Sequence, residues 1–175
     1  MRPFLATFLF LLLQLLLAGC KDLVMQSPTD VDLTGTWVLD RAHSDAGAVH
    51  EHPAPLDVDE RPTSNPRGHS PLPRLPMLTA EEMTIDQDAT SMGIAYPNQP
   101  YRDLKWGEQK HNLYRVQSGW DNGRLIVETK STPMHIKETY TLSDDRNTLT
   151  LRVDVDGRAI DSAHFVRVFT RKSTV

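Results

Sequence analysis

Apolar and polar residues alternate along most of the segment from residue 111 to residue 171. Between Met134 and Leu142 every second residue is apolar, except Glu138, and the residues between them are polar. The run from Thr148 to Val155 has the same pattern. Because side chains of a strand point alternately to opposite faces, each run predicts a strand with one apolar and one polar face.

Turn-forming residues separate these runs. Asn122-Gly123 and Asp156-Gly157 supply the positive φ that tight hairpins require, and a polar stretch from Ser143 to Asn147 forms a longer turn. Consecutive strands with short turns predict an antiparallel sheet, which must bury its apolar face by closing or by stacking.

The first half of the chain adds further short strands. They are predicted at residues 33–40, 82–87, 92–96 and 101–106, with Gly107-Glu108-Gln109 as a turn. The total is eight or nine strands at regular spacing, and no helix longer than a turn is evident after residue 20. The predicted fold class is all-β, an antiparallel up-and-down β-barrel occupying residues 33–175.

Residues 1–19 form a leader. The run from Phe4 to Leu17 is almost entirely Leu and Phe, and it is too short for a bilayer core of about 30 Å. The sequence Leu17-Ala18-Gly19-Cys20 resembles the bacterial lipoprotein lipobox; the alternative is an ordinary signal peptide followed by a chance cysteine. The resemblance implies that Cys20 is lipidated and becomes the first residue of the mature chain.

Lipidation by several acyl chains implies stable anchoring in a membrane of the cell envelope. Lys21, rather than aspartate, follows the cysteine, which favours the outer membrane with the protein facing the periplasm.

Because Cys20 is the sole cysteine, no intramolecular disulfide can form. Residues 20–32 are polar and predict a tether. The formal net charge of −4 and the lack of a basic run argue against nucleic acid as a partner.

A proline-rich insertion follows the first strand, over residues 42–78. Seven of the 12 prolines lie between Pro53 and Pro76, which prevents a sustained helix or ladder and predicts a long loop. The insertion is a candidate lid over a barrel mouth. It contains four histidines, His43, His50, His52 and His69. Imidazole binds transition metals, but the close spacing of a structural zinc site is absent, so we predict no metal and no cofactor.

The first strand carries Gly35-Thr36-Trp37, which resembles the Gly-x-Trp motif on the first strand of lipocalins. In that family an arginine of the last strand packs over the tryptophan, which makes Arg167 and Arg171 candidates for this structural role. The alternative is that Trp37 is an ordinary large core residue. The resemblance implies a lipocalin-like barrel.

A wider resemblance is to a loosely related group of uncharacterised secreted bacterial proteins. These share the early Gly-x-Trp strand, a proline-rich gap, and segments similar to residues 119–125, 138–143 and 168–171. The resemblance bears on fold and location alone.

Glu138 is the polar exception on an apolar strand face. A buried carboxylate must be paired or protonated, and Arg102, Arg167 and Arg171 are the candidate partners. The alternatives are a catalytic carboxylate or a polar anchor in a ligand cavity. The candidate ligand-binding residues are Met83, Met92, Tyr114, Trp120, Met134, Glu138 and Tyr140.

Common catalytic motifs are absent, among them Gly-x-Ser-x-Gly, His-Glu-x-x-His and a glycine-rich phosphate loop. We therefore predict no enzymatic activity. The predicted function is that of a lipid-anchored envelope protein whose barrel is a candidate carrier of a small apolar ligand. The alternative is an interaction module that binds an unassigned protein partner through the proline-rich loop or a sheet edge.

Overall fold

The computed structural model describes residues 22–45, 75–132, 134–158 and 162–173. Within these ranges the chain forms ten strands and one four-residue helix. The elements are β1 (Gly35–Leu39), α1 (Pro76–Thr79), β2 (Glu82–Gln87), β3 (Ser91–Ala95), β4 (Arg102–Lys105), β5 (Gly107–Lys110), β6 (Tyr114–Asp121), β7 (Arg124–Ser131), β8 (Met134–Leu142), β9 (Thr148–Gly157) and β10 (Ala163–Arg171).

All ten strands belong to one antiparallel sheet in the order β4-β3-β2-β1-β10-β9-β8-β7-β6-β5. β1 pairs with β2 on one side and with β10 on the other, so the beginning and the end of the strand series meet. The two edge strands, β4 and β5, are consecutive in the chain and are separated only by Trp106. The sheet therefore curls into an up-and-down barrel with its seam at the β4–β5 corner, which confirms the predicted all-β, antiparallel barrel class.

The strand count differs slightly from the expectation. Residues Gly107–Lys110, whose first three residues were expected to form a turn, form β5 and pair with β6. Gly107 has a φ of 99°, a value that residues with a side chain rarely adopt. This conformation lets the chain turn after Trp106 and leave β3 for β6, so one predicted strand followed by a turn becomes two short strands.

The apolar face of each long strand points into the barrel, as the alternation predicts. On β9, Leu149, Leu151, Val153 and Val155 are 0% exposed. The largest fully buried side chains of the core are Trp37, Trp120, Tyr140 and Phe169. Burial of the apolar side chains is the main stabilising contribution to such a barrel.

One end of the barrel, here the closed end, is covered by residues 22–33. Val24 exchanges two backbone hydrogen bonds of 2.9 Å with Trp120, extending the ladder of β6 beyond the start of β5. The Ser27 amide donates to the Ala89 carbonyl at 3.2 Å in the β2–β3 turn. The predicted tether, described from Asp22 onward, is therefore attached to the barrel body rather than separate from it.

The end of the predicted proline-rich loop is ordered structure. α1 begins at Pro76, where proline is tolerated because its missing N–H would have no helical partner, and Met77 and Leu78 are 5% and 0% exposed. The loop boundary expected at residue 78 is thus too late. Residues 46–74, and the predicted leader with Cys20, lie outside the described residues. Across the described ranges, no helix is long and apolar enough to cross a membrane.

Candidate ligand-binding site

A pocket of about 410 Å³ occupies the barrel end opposite the closed end, here the pocket end. It lies where β3 ends and where β4, β6 and β8 begin, and α1 covers one side. The lining residues are Leu75, Pro76, Met77, Tyr96, Pro100, Tyr101, Arg102, Asp103, Leu104, Gln109, His111, Tyr114, Val116, Thr129, Ile136 and Glu138. The volume falls within the range of small-molecule sites, about 300–1,000 Å³.

The polar centre of the pocket is an ion pair between Arg102 and Glu138. Arg102 Nη1 donates to Glu138 Oε2 and Nη2 donates to Oε1, both at 2.7 Å. The Glu138 side chain is 0% exposed and that of Arg102 is 22% exposed. The pair joins β4 to β8, which are not neighbours in the sheet, and so it spans the barrel interior.

Strand parity places both partners inside. Glu138 lies between the inward-facing Ile136 and Tyr140 on β8, and Arg102 shares the inward parity of Leu104 on β4. Burial alone would lower the pKa of Arg102, but the adjacent Glu138 carboxylate outweighs burial and raises it. Arg102 therefore remains a cation, and the pair as a whole carries no net charge.

Two tyrosines complete this polar centre. The Tyr140 hydroxyl donates to Glu138 Oε2 at 2.7 Å, and burial, aided by the Glu138 charge, raises the Tyr140 pKa well above its ordinary value. Burial likewise raises the pKa of Tyr96 to about 12, although the charge of Arg102 opposes the increase. The Tyr96 hydroxyl is near Arg102 and Tyr140, but it makes no hydrogen bond of acceptable geometry within the described ranges. Both tyrosines are neutral at physiological pH.

The predicted ligand-binding residues separate into three groups. Tyr114 and Glu138 line the pocket. Met134 is partly buried beside the core. The remaining predicted residues are packed in the core without lining this pocket, and they are Met83, Met92, Trp120 and Tyr140.

Sequence reasoning missed part of the pocket wall. Leu75 and Met77 belong to the end of the predicted loop. Gln109 lies in β5, whose first three residues were expected to form a turn, and His111 follows β5 where a strand was expected to begin. The apolar pair Met77-Leu78 next to a proline was the available signal for a buried helical turn. Arg102 was one of three candidate partners for Glu138, and the structure selects it.

Exposed apolar side chains lie at the pocket end of the barrel. Tyr101, Leu113 and Tyr114 are 63%, 85% and 43% exposed. The rings of His111 and Tyr114 stack with centroids 4.4 Å apart and an interplanar angle of 21°. The mouth is thus bordered by aromatic rings rather than by charged side chains alone.

The two candidate arginines of the last strand have different surroundings. The Arg171 guanidinium lies 4.3 Å from the centre of the Trp37 ring and donates to the carbonyls of Thr34 and Arg146, the latter at 2.9 Å. Arg167, which is 3% exposed, instead donates to the Ala80 carbonyl at 2.9 Å. Arg171 therefore occupies the position over the tryptophan that the lipocalin motif implies.

No group of three or more His, Cys, Asp or Glu side chains with metal-binding geometry occurs within the described ranges. His43 pairs instead with Asp40, at 2.7 Å between Nδ1 and Oδ2. His50, His52 and His69 lie outside the described residues.

No protein-family model matches the chain, and no curated protein matches it in sequence. Among solved structures, the chain is similar to a "secretary abundant heat soluble" (SAHS) protein from Ramazzottius varieornatus. The TM-score is 0.40 at 16% identity, covering 52% of this chain and 70% of that chain. The pairing of the ten strands in this chain by itself defines the barrel.

Proposed function

We propose that this protein is a non-enzymatic, lipid-anchored carrier that binds a small, mainly apolar molecule in the pocket. The observation that supports binding most is the pocket itself, whose walls are mainly apolar and whose charged pair is internally neutralised. Small-molecule sites combine such walls with a few placed polar groups.

The state of Glu138 favours a carrier over a catalyst. Oε1 accepts from Arg102, and Oε2 accepts from both Arg102 and Tyr140. A general acid or base must exchange a proton with a substrate within hydrogen-bond reach. A carboxylate that is 0% exposed and fully engaged is poorly placed for that exchange.

A lipid anchor at Cys20 suits the direction in which the chain joins the barrel. Residues 22–33 cover the closed end, with Val24 beside Trp120, whereas Tyr114 at the other end of β6 lines the pocket. Anchoring near residue 22 would hold the closed end towards the membrane, and the pocket would open towards the periplasm. Val24 and Met25, 59% and 50% exposed, lie on this membrane-proximal side.

Native mass spectrometry of the full chain, released from membranes in a mild detergent, tests ligand binding. We expect a small-molecule adduct that is lost in Thr129→Trp, which fills the pocket. Lys130→Trp adds the same side chain on the outer face of the same strand and should retain the adduct. A clean mass of the native protein, or an adduct that survives Thr129→Trp, contradicts the proposal.

Metabolic labelling with palmitate tests the anchor. We expect label in the native chain, none in Cys20→Ala, and undiminished label in a Lys21→Gln control. A native chain without label would leave a secreted protein with no lipid anchor.

A second candidate function is that of an envelope interaction module. The exposed Tyr101, Leu113 and Tyr114 around the mouth favour it, because apolar side chains clustered on a surface mark contact sites. A clean native mass, together with an envelope protein that crosslinks to the native chain and not to Leu113→Ser, would support this alternative.

A further inference from the structure

We propose that the pocket selects a neutral ligand over a carboxylate of the same chain length. The polar head of this ligand accepts hydrogen bonds, as that of an alcohol, ketone or amide does. This inference rests on the proposed carrier function and specifies the ligand class of the same pocket. It follows from the charges that line the pocket, the hydrogen-bonding groups still available there, and the character of the walls.

The charges of the pocket cancel at its centre. Arg102 and Glu138 form a bidentate pair, so an incoming carboxylate would share one guanidinium with a carboxylate that is already bound. The other charged carboxyl residue on the lining is Asp103, which adds negative rather than positive charge. Among the described residues that line the pocket there is no lysine and no second arginine. A buried ligand carboxylate would therefore lack a counter-charge, and burying an unpaired charge is far more costly than burying a neutral polar group.

The hydrogen-bonding groups available at the centre are mainly donors. A guanidinium has five N–H groups, of which two are used on Glu138, and Arg102 remains 22% exposed. Both Glu138 oxygens already accept hydrogen bonds, and the side chain is 0% exposed. The ion pair thus presents the edge of a donor group to the ligand and withholds its acceptor. A carbonyl or hydroxyl oxygen meets this arrangement without bringing charge.

The rest of the ligand faces apolar walls. These are formed by Leu75, Pro76, Met77, Leu104, Val116 and Ile136. A methionine in such a wall adapts to irregular apolar shapes. The expected ligand is a neutral amphiphile with its acceptor towards Arg102 and its apolar body against these walls.

Photoaffinity labelling of the full chain in its own membranes tests this selectivity. The probe is a diazirine-bearing alkyl alcohol, with decanol and decanoate as competitors at pH 8, and mass spectrometry locates the labelled residues. We expect label on the pocket lining. The concentration of decanol that halves the labelling should be at least about tenfold lower than that of decanoate, a difference equivalent to about 1.4 kcal/mol. Equal or better competition by decanoate overturns the inference while leaving the carrier function intact. Absence of label from the pocket overturns both.

Glu138→Gln separates pocket selectivity from the different partitioning of the two competitors into lipid. The substitution keeps the side-chain shape and leaves the charge of Arg102 unmatched. The ratio of the half-inhibitory concentrations of decanol and decanoate should therefore shift in favour of decanoate by about tenfold relative to the native chain. Lys137→Gln removes a charge on the outer face of the same strand and should leave the ratio unchanged.

If Glu138→Gln does not fold, the double variant Arg102→Met with Glu138→Leu replaces the pair with apolar side chains, a change that buried pairs often tolerate. With decane as a third competitor, the native pocket should prefer decanol to decane, because only decanol carries a hydrogen-bond acceptor. The double variant should lose this preference. A ratio that is the same in the native chain and in Glu138→Gln, or an unaltered preference for decanol in the double variant, contradicts the proposal.

Discussion

The two ends of the barrel bury polar groups in different ways. At the closed end, Arg171 lies over Trp37 and donates to main-chain carbonyls, and Val24 completes a backbone ladder on β6. At the pocket end, the charge of Arg102 is balanced by another side chain, Glu138, and a space of about 410 Å³ remains beside it.

This difference indicates which end is suited to binding. Backbone carbonyls are held by the sheet, so interactions with them fix the segment that covers the closed end. A side-chain pair that crosses the interior holds two distant strands together, and its two charges cancel each other within the cavity. The closed end is thus stabilised by contacts with backbone atoms, and the pocket end by a side-chain contact between strands that do not pair.

The largest expected effect is on that contact. Glu138→Gln leaves the Arg102 cation without a counter-charge, and the free energy of unfolding should fall by about 3 kcal/mol, the lower part of the range for broken buried pairs because Arg102 still reaches water. Urea denaturation of the full chain measures the change. Lys137→Gln, the neighbouring change on the outer face, should alter it by less than about 0.5 kcal/mol. A Glu138→Gln variant as stable as the native chain would mean that the pair does not hold the pocket end together.

Alanine substitution at two glycines compares how tightly side chains and backbone pack at the two ends. A Cβ at Gly119 would lie 2.7 Å from Leu23 Cβ and 3.0 Å from the Val24 carbonyl oxygen, so Gly119→Ala must displace the segment on the closed end. We expect a loss of about 2 kcal/mol, as for other overpacked sites. At the pocket end, a Cβ at Gly93 would collide with the hydroxyl of Tyr101, whose side chain is 63% exposed and can move.

Gly93→Ala should accordingly cost less than about 1 kcal/mol, because the exposed Tyr101 ring that covers this buried glycine can move aside. Thermal unfolding of the two variants, side by side, measures the contrast. Equal losses would indicate that residues 22–33 yield as readily as an exposed ring, and that the closed end is no more firmly held than the mouth.

A smaller loss is expected for Arg171→Met at the closed end. The substitution retains much of the apolar contact with Trp37 and removes the hydrogen bonds to Thr34 and Arg146, with an expected cost of about 1–2 kcal/mol. Hydrogen exchange should be faster at residues 32–36 and unchanged in α1. Lys172→Met is the control, because Lys172 is next in the chain and its side chain pairs with Glu82 at the surface. Faster exchange in α1 would show that the two ends are coupled.

The sequence predicts the barrel well because its signals are local. Alternation in β8 and β9 fixes which face is buried, and Asn122-Gly123 supplies the positive φ values of the β6–β7 turn, 50° and 72°. The resemblance to the Gly-x-Trp motif correctly indicated an arginine over Trp37, but parity alone could not choose between Arg167 and Arg171.

The pocket is harder to predict because it depends on contacts distant in sequence. Glu138 stands out as a carboxylate on an apolar face, yet its partner Arg102 is 36 residues away on a strand that does not pair with β8. The buried methionines Met83 and Met92 have the same parity signal as residues that line a cavity. Periodicity separates inside from outside, but not packed interior from empty interior.

The smallest effect should be the pH dependence of the two ends. Hydrogen bonds from the Thr90 amide and from the Ser91 and Thr90 hydroxyls lower the pKa of Asp88, in the β2–β3 turn of the closed end, to about 2. Because the pKa of Asp88 is lower in the folded state than its ordinary value of 3.8, this contribution to stability is present above pH 4 and is lost as pH falls towards 2. The pKa shift of Tyr96 at the pocket end has the opposite sign, since its folded pKa of about 12 exceeds its ordinary value of 10. Its contribution to stability is therefore lost as pH rises from 10 to 12.

Urea denaturation at a series of pH values measures the free energy of unfolding. This free energy should decline less at acid pH in Asp88→Asn and less at alkaline pH in Tyr96→Phe, and each variant should leave the decline on the other side of the pH profile (the other limb) unchanged. Asp86→Asn, on the strand that leads into the same turn, controls for the loss of one carboxylate. If Asp88→Asn changed the alkaline limb, the two ends would not respond independently, and the division between a backbone-held closed end and a side-chain-held pocket end would be wrong.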